Sequence, residues 1–152
     1  MCQQPTSRMC FVCGRQNPFG LKLQFYEDHV ADQVKATVTV PEEYQGYPGV
    51  VHGGIVSTIL DEVSGRALML EGGDDSLLAT LRMTVRFLCP TPTDTPITAV
   101  GWVKQMSGVG AKVAGEIRLP DGSVTAECES LLADPPESVK EAWEHERPYW
   151  KV

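Results

Sequence analysis

No stretch of this 152-residue chain approaches the ~20 consecutive apolar residues that a membrane-spanning helix needs. It has no basic block either, and its net charge is −7. That balance argues against nucleic acid or an anionic membrane as the main partner, since both demand a concentrated positive surface. The cysteines are few and odd in number (Cys2, Cys10, Cys13, Cys89, Cys128), a poor match to a secreted disulfide framework. Gln3, Gln4 and Pro5 lack the apolar stretch of a signal peptide, and a cytoplasmic protein is expected. A G-x-S-x-G elbow is missing, which excludes the usual serine hydrolase. Gly108-Val109-Gly110 is too short for a dinucleotide or phosphate loop and reads as a tight strand turn.

What is present fits one globular domain: 42% apolar and 22% charged residues in a chain long enough for a real core. The first ~18 residues are polar and irregular, ending in the turn signal Asn17-Pro18-Phe19-Gly20. Leu21 to Tyr26 and Gln33 to Val40 alternate apolar and polar, predicting a hairpin. After a Gly- and Pro-rich loop, residues 53–71 place Ile55, Val56, Ile59, Leu60, Val63, Ala67 and Leu70 at spacings of three and four, predicting the one long helix. Four strand-like runs follow at 77–88, 96–106, 110–119 and 123–132, separated by turn signals. Two strands, a helix and four strands predict an α+β domain over residues 1–134, an antiparallel sheet of about six strands wrapped around one helix. Residues 135–152 form a tail with a short helix near 137–146, whose Trp143, Tyr149 and Trp150 are expected to pack on the domain or a second subunit.

The run Val51-His52-Gly53-Gly54-Ile55-Val56-Ser57-Thr58-Ile59-Leu60-Asp61-Glu62 carries the chemistry. Glycines at a helix entry leave backbone N–H groups without an intrahelical acceptor, at the positive end of the dipole. Gly53 N–H, with Gly54 N–H beside it, can hold a polarised carbonyl oxygen, while Asp61 attacks the carbon or deprotonates water. An acyl-transfer site is therefore predicted within this segment. At ~100° per residue, Asp61 points away from the stripe of Ile59, Val63 and Leu70. Its neighbours at three and four positions are Ser57, Thr58, Ser64 and Gly65, a small uncharged face suited to close approach by another backbone. Glu62 has Arg66 four residues later, the favourable ion-pair spacing. Asp61 is thus assigned to chemistry and Glu62 to structure. His52 either orients the loop and meets substrate or caps the turn.

Cys10-x-x-Cys13 is half a zinc site or a redox pair, but no second C-x-x-C or C-x-x-H follows, and His29 is the only nearby helper. The prediction is no metal, with this loop packed over the substrate channel.

The His52-Gly53-Gly54 motif with Asp61 nine positions after the histidine resembles the hotdog-fold acyl-CoA thioesterases, in their phenylacetyl-CoA thioesterase-like branch. Cys10-Phe11-Val12-Cys13-Gly14 with Asn17-Pro18 and Gly20-Leu21, and the ending Asp121-Gly122-Ser123-Val124-Thr125-Ala126, are similar to segments common there. The resemblance spans roughly residues 10–133. It implies a curved antiparallel sheet around a central helix, assembled as homodimers or dimers of dimers, with each active site at a dimer interface. It implies Asp61 as nucleophile or general base, Gly53 as oxyanion donor, His52 as a motif histidine and Gly54 beside them, with no cofactor. Many relatives place Asn or Gln seven positions before that glycine; here Gly46 stands there and Gln45 is its neighbour, so either Gln45 serves through a shifted loop or the contact is missing. Ser57 lies on the site face, and Arg82, Arg86, Lys104 and Lys112 are the cations for CoA phosphates, unless they are simply solvated strand faces. A hydroxyacyl-thioester dehydratase and a domain that binds acyl-CoA without turnover are the competing readings.

Overall fold

Seven strands form one antiparallel sheet in a computed structural model describing residues 1–152. Strands β1 (Cys2–Gln3), β2 (Tyr26–Asp28) and β3 (Gln33–Thr39) precede the helical segment. Strands β4 (Ala79–Phe87), β5 (Pro96–Ser107), β6 (Gly110–Arg118) and β7 (Val124–Ala133) follow it, within two residues of the predicted runs at each end. The order β1-β2-β3-β5-β6-β7-β4 leaves β1 and β4 as edges. The two-residue β1 is the strand beyond the expected six.

The first predicted strand is corrected. Leu23 and Phe25 are buried as their alternation implies, yet only Tyr26–Asp28 pairs with β3. The preceding residues give their hydrogen bonds to the cysteine loop instead: Leu21 N–H donates to Phe11 C=O and Leu23 N–H to Val12 C=O. Lys22 takes a left-handed φ of 55°, breaking the pleat.

Helix α1 (Gly53–Arg66) buries Val56, Ile59, Leu60 and Val63 against the concave face of the sheet, beside Ala36, Ile97, Ala99 and Ile117. Each such aliphatic side chain contributes about 1.5–3 kcal/mol through burial. The long predicted helix bends after Arg66: Ala67 and Leu68 donate to the carbonyls three residues back, and α2 (Met69–Gly72) continues the path. Leu70 therefore lies beyond the bend, outside the α1 stripe. The axis sits unusually near the sheet because β5 carries glycine at the crossing. A Cβ on Gly101 would meet the Val63 carbonyl oxygen at 2.2 Å. Ser64, one of the small residues expected to receive another backbone, is fully buried here against its own sheet, its Cβ next to Gly115.

The tail forms α3 (Glu137–Glu146), the span predicted, and folds back on the N-terminal segment. Thr6 and Lys151 exchange backbone hydrogen bonds, and Arg8 pairs with Glu146 at 3.2 Å. Trp143 and Trp150 meet edge to face at 5.0 Å. Arg66 lies between the rings of Phe25 and Trp150, at 4.2 and 5.0 Å, stacking the tail over the end of α1.

Strand β4 is a nine-residue edge with exposed apolar groups around it: Leu81 is 72% exposed and Phe87 58%. Proteins normally cover such edges. No helix is long and apolar enough to cross a membrane.

Substituting Gly101→Ala forces α1 off the sheet. The unfolding free energy is expected to fall by about 1–3 kcal/mol, seen as a lower urea midpoint at unchanged slope. An unchanged midpoint would contradict this packing.

Candidate active site

The entry to α1 is fixed from three sides. His52 N–H donates to Tyr44 C=O at 2.9 Å, Val51 N–H to Thr91 C=O at 2.8 Å, and Gly46 N–H to Val50 C=O at 2.9 Å. His52 is the N-cap residue, with Nδ1 accepting from Gly54 N–H at 2.9 Å. A ring nitrogen thus stands where Ser, Thr or Asp commonly caps a helix, and the acceptor at Nδ1 leaves the ring proton on Nε2. Gly54 N–H is consumed by this bond. Gly53, the first helical residue, has no intrahelical acceptor for its own N–H. The Phe87 ring lies beside it, 3.4 Å from where a Cβ would stand.

Gln45 and Gly46 serve the loop. Gln45 Oε1 accepts from Gly49 N–H at 3.1 Å, and Gly46 packs on His52, its would-be Cβ 3.4 Å from His52 Cα. Ser57 Oγ donates back to Gly53 C=O at 2.8 Å, within α1.

Asp61 is half-buried and faces the start of β4, where Thr80 Oγ1 donates to its Oδ1 at 2.8 Å. Thr80 is a site residue that local sequence patterns do not reveal, because nineteen positions separate it from Asp61. The carboxylate opens on a cavity of about 270 Å³ with apolar walls in Leu77, Leu78 and Leu132. Asp61 lies eight positions after Gly53. At 1.5 Å per residue that is about 12 Å along the axis, too far for one thioester-sized group to touch both.

The far side of the cavity holds Cys10, Cys13, Glu62 and Arg66. Arg66 Nε donates to Glu62 Oε1 at 2.9 Å, the pair predicted by spacing, with Arg66 almost fully buried. Burial nonetheless pushes the Glu62 carboxyl up, outweighing the pull of Arg66. A hydrogen bond shared with Cys13, then burial and the Glu62 charge, push the Cys10 thiol up. That same hydrogen bond, aided by the Arg66 charge, holds Cys13 down to about 5. His29 is no helper: it pairs with Glu27 at 2.9 Å, at the β2–β3 turn. Cys10, Cys13 and Glu62 are instead the residues able to hold a metal, their ligand atoms all within 4.8 Å of one another.

The cations lie elsewhere. Along β6, Ala111, Val113 and Ile117 face the core, so Lys112 faces the outer side of the sheet. Lys104 pairs there with Glu129, and Arg82 on β4 stands opposite Leu131, the strand partner of Lys112. Within one protomer none of the three comes near Asp61, which lies on the helix side. Arg82 and Lys112 make no ion pair; the neighbouring Arg86 is taken by Glu127 at 2.9 Å.

The sequence profile of the thioesterase superfamily matches residues 48–126, a span holding both the His52-Gly53-Gly54 turn and Asp61. The chain belongs to the thioesterase superfamily. Its sheet wrapped around a bent central helix is the hotdog fold shared by solved structures of that superfamily. One, described as a thioesterase superfamily protein, is 33% identical, with a TM-score of 0.76 over 83% of this chain and 63% of its own. The chain thus spans less than two thirds of that relative's length. A phenylacetic acid degradation-related protein from Ralstonia eutropha is 19% identical, with a TM-score of 0.65 over 74% of this chain and 85% of its own. A Streptococcus mutans protein solved bound to acetyl CoA is 19% identical, with a TM-score of 0.61 over 67% and 80%. No curated protein sequence matches the chain.

If His52 holds this superfamily turn as a cap, His52→Ala lowers stability by about 1 kcal/mol and His52→Asn regains most of it, measured by urea denaturation. Equal midpoints for His52→Ala and the wild type would contradict the capping role.

Proposed function

We propose that the protein is an acyl-CoA thioesterase whose active site is shared between two copies of the chain: R–CO–S–CoA and water give R–COOH and CoA–SH. The observation that carries this reading is the pairing of an uncommitted N–H at the head of α1 with a half-buried carboxylate two turns further on. One protomer holds both groups but separates them by about 12 Å. A two-fold partner lying antiparallel along α1 would bring its Asp61 to this chain's Gly53, and the reverse. The open β4 edge, with Leu81 and Phe87 exposed, supplies a surface for such a partner.

In this arrangement the thioester oxygen accepts from Gly53 N–H, where the dipole of α1 stabilises the developing oxyanion. The partner's Asp61 supplies the nucleophile, by direct attack or by taking a proton from water, and CoA thiolate leaves. Thr80 orients the Asp61 carboxylate. The acyl group enters the cavity walled by Leu77, Leu78 and Leu132. Arg82 on β4, with Lys112 across Leu131 from it, would meet the CoA phosphates in this arrangement; their shared row on the sheet supports that reading. The engagement of His52 Nδ1 by Gly54 N–H supports hydrolysis over dehydration, which needs a histidine free for proton transfer.

Asp61→Asn keeps the Thr80 hydrogen bond and is expected to lower acyl-CoA turnover, assayed as free thiol, at least 10³-fold with folding intact. Gly53→Pro removes one N–H at a position where proline suits the first helical turn, and should cost about 10²–10³-fold. A folded Asp61→Asn protein that still releases thiol at the wild-type rate would remove the mechanism.

A further inference from the structure

The Cys10–Gly14 turn is shaped to present sulfur. Val12 N–H donates to Cys10 Sγ at 3.3 Å, and Cys10 N–H donates to Ser7 Oγ at 3.2 Å, while that hydroxyl also lies 3.6 Å from Cys13 Sγ. The turn is closed by Gly14 N–H donating to Cys10 C=O at 2.8 Å, and a Cβ on Gly14 would stand 2.3 Å from that oxygen. Only glycine fits. An amide aimed at a cysteine sulfur fixes where that sulfur points, and a metal binding there displaces the thiol proton.

Helix α1 completes the set. Glu62 Oε2 lies 4.0 Å from Cys10 Sγ, and the three ligand atoms fall within 4.8 Å of one another. Zinc bonds sulfur at about 2.3 Å and carboxylate oxygen at about 2.0–2.2 Å, so tetrahedral ligands stand roughly 3.5–3.8 Å apart. A movement of under about 1 Å therefore reaches bonding distance. All three residues line one cavity, so a fourth position is open to water. The charges also close. Two thiolates and a carboxylate around a dication leave one negative charge, and Arg66, bonded to Glu62 at 2.9 Å, supplies the positive one.

We propose that Cys10, Cys13 and Glu62 bind one zinc ion, which ties the N-terminal loop to α1 at the residue next to Asp61. The site opens on the same cavity as Asp61, but its three ligands take no part in the thioester chemistry, and zinc binding is read out independently of turnover.

The test is zinc titration of the full, reduced, metal-stripped chain against a chromogenic chelator, with cobalt as a spectroscopic probe. One zinc per chain is expected, and a thiolate-to-cobalt charge-transfer band with tetrahedral d–d absorption. Cys10→Ser, Cys13→Ser and Glu62→Gln each remove a direct ligand and should each weaken zinc binding by more than the ~10–100-fold typical of losing an outer-shell partner, while exposed Cys89→Ser leaves it unchanged. Far-UV circular dichroism of the Glu62→Gln chain confirms that the fold is retained. Less than about 0.1 zinc per chain at saturating metal would overturn the proposal. So would undiminished binding in folded Glu62→Gln, or a Cys10–Cys13 disulfide that forms readily in a chain taking no zinc.

Discussion

Helical rise is the constraint on which this account depends. Gly53 and Asp61 are held eight residues apart on a helix whose middle is locked to the sheet, so neither can move toward the other. Gly101 lets the Val63 carbonyl lie where any side chain would stand, and Ile59, Leu60 and Val63 are sealed from solvent. The rigid packing that fixes the helix also fixes the gap. If the proposed chemistry holds, the fold offers half-sites at two ends of one element, and two-fold symmetry is the economical means of joining them.

The two half-sites are built with different physics. At the head of α1 the proposed donor is the single Gly53 amide, oriented by a histidine cap and a pinned loop, and its strength would come from the dipole and from preorganisation. Two turns on, the proposed nucleophile or base is a carboxylate held by one hydroxyl. Trp143, Trp150 and the cysteine loop line the cavity on which that carboxylate opens. The tail is thus part of the environment of the carboxylate, carried there by Arg66 between two aromatic rings.

Much of this was legible in the sequence where local pattern and tertiary structure agree. Strands β5, β6 and β7 alternate clearly, and Glu137–Glu146 is a helix over the span that composition predicts. The assignment of Glu62 to Arg66 followed from i,i+4 geometry. Failures arose where a distant partner decided the outcome. Leu23 and Phe25 are buried by alternation, but their segment bonds to the cysteine loop rather than to a strand. The apolar spacing runs on to Leu70, although the helix bends at Ala67, because a bend need not disturb which residues are buried. Ser64 read as part of an outward face and instead meets Gly115. Cys10 lies 52 positions from Glu62, so the third member of that cluster had no local signal, and His29, nearer in sequence, pairs with Glu27 instead.

Mixed dimers test the shared site most directly. Gly53→Pro suits the backbone as it stands, since His52 at φ −56° and ψ 136° already has the extended form that precedes proline. Asp61→Asn and Gly53→Pro chains, each nearly inactive alone, are unfolded together and refolded at equal amounts. If the amide and the carboxylate come from different protomers, every heterodimer regains one intact site of two, and about a quarter of wild-type acyl-CoA hydrolysis returns. If the mixture stays as inactive as its parents while heterodimers are shown to form, the two groups do not meet across the seam.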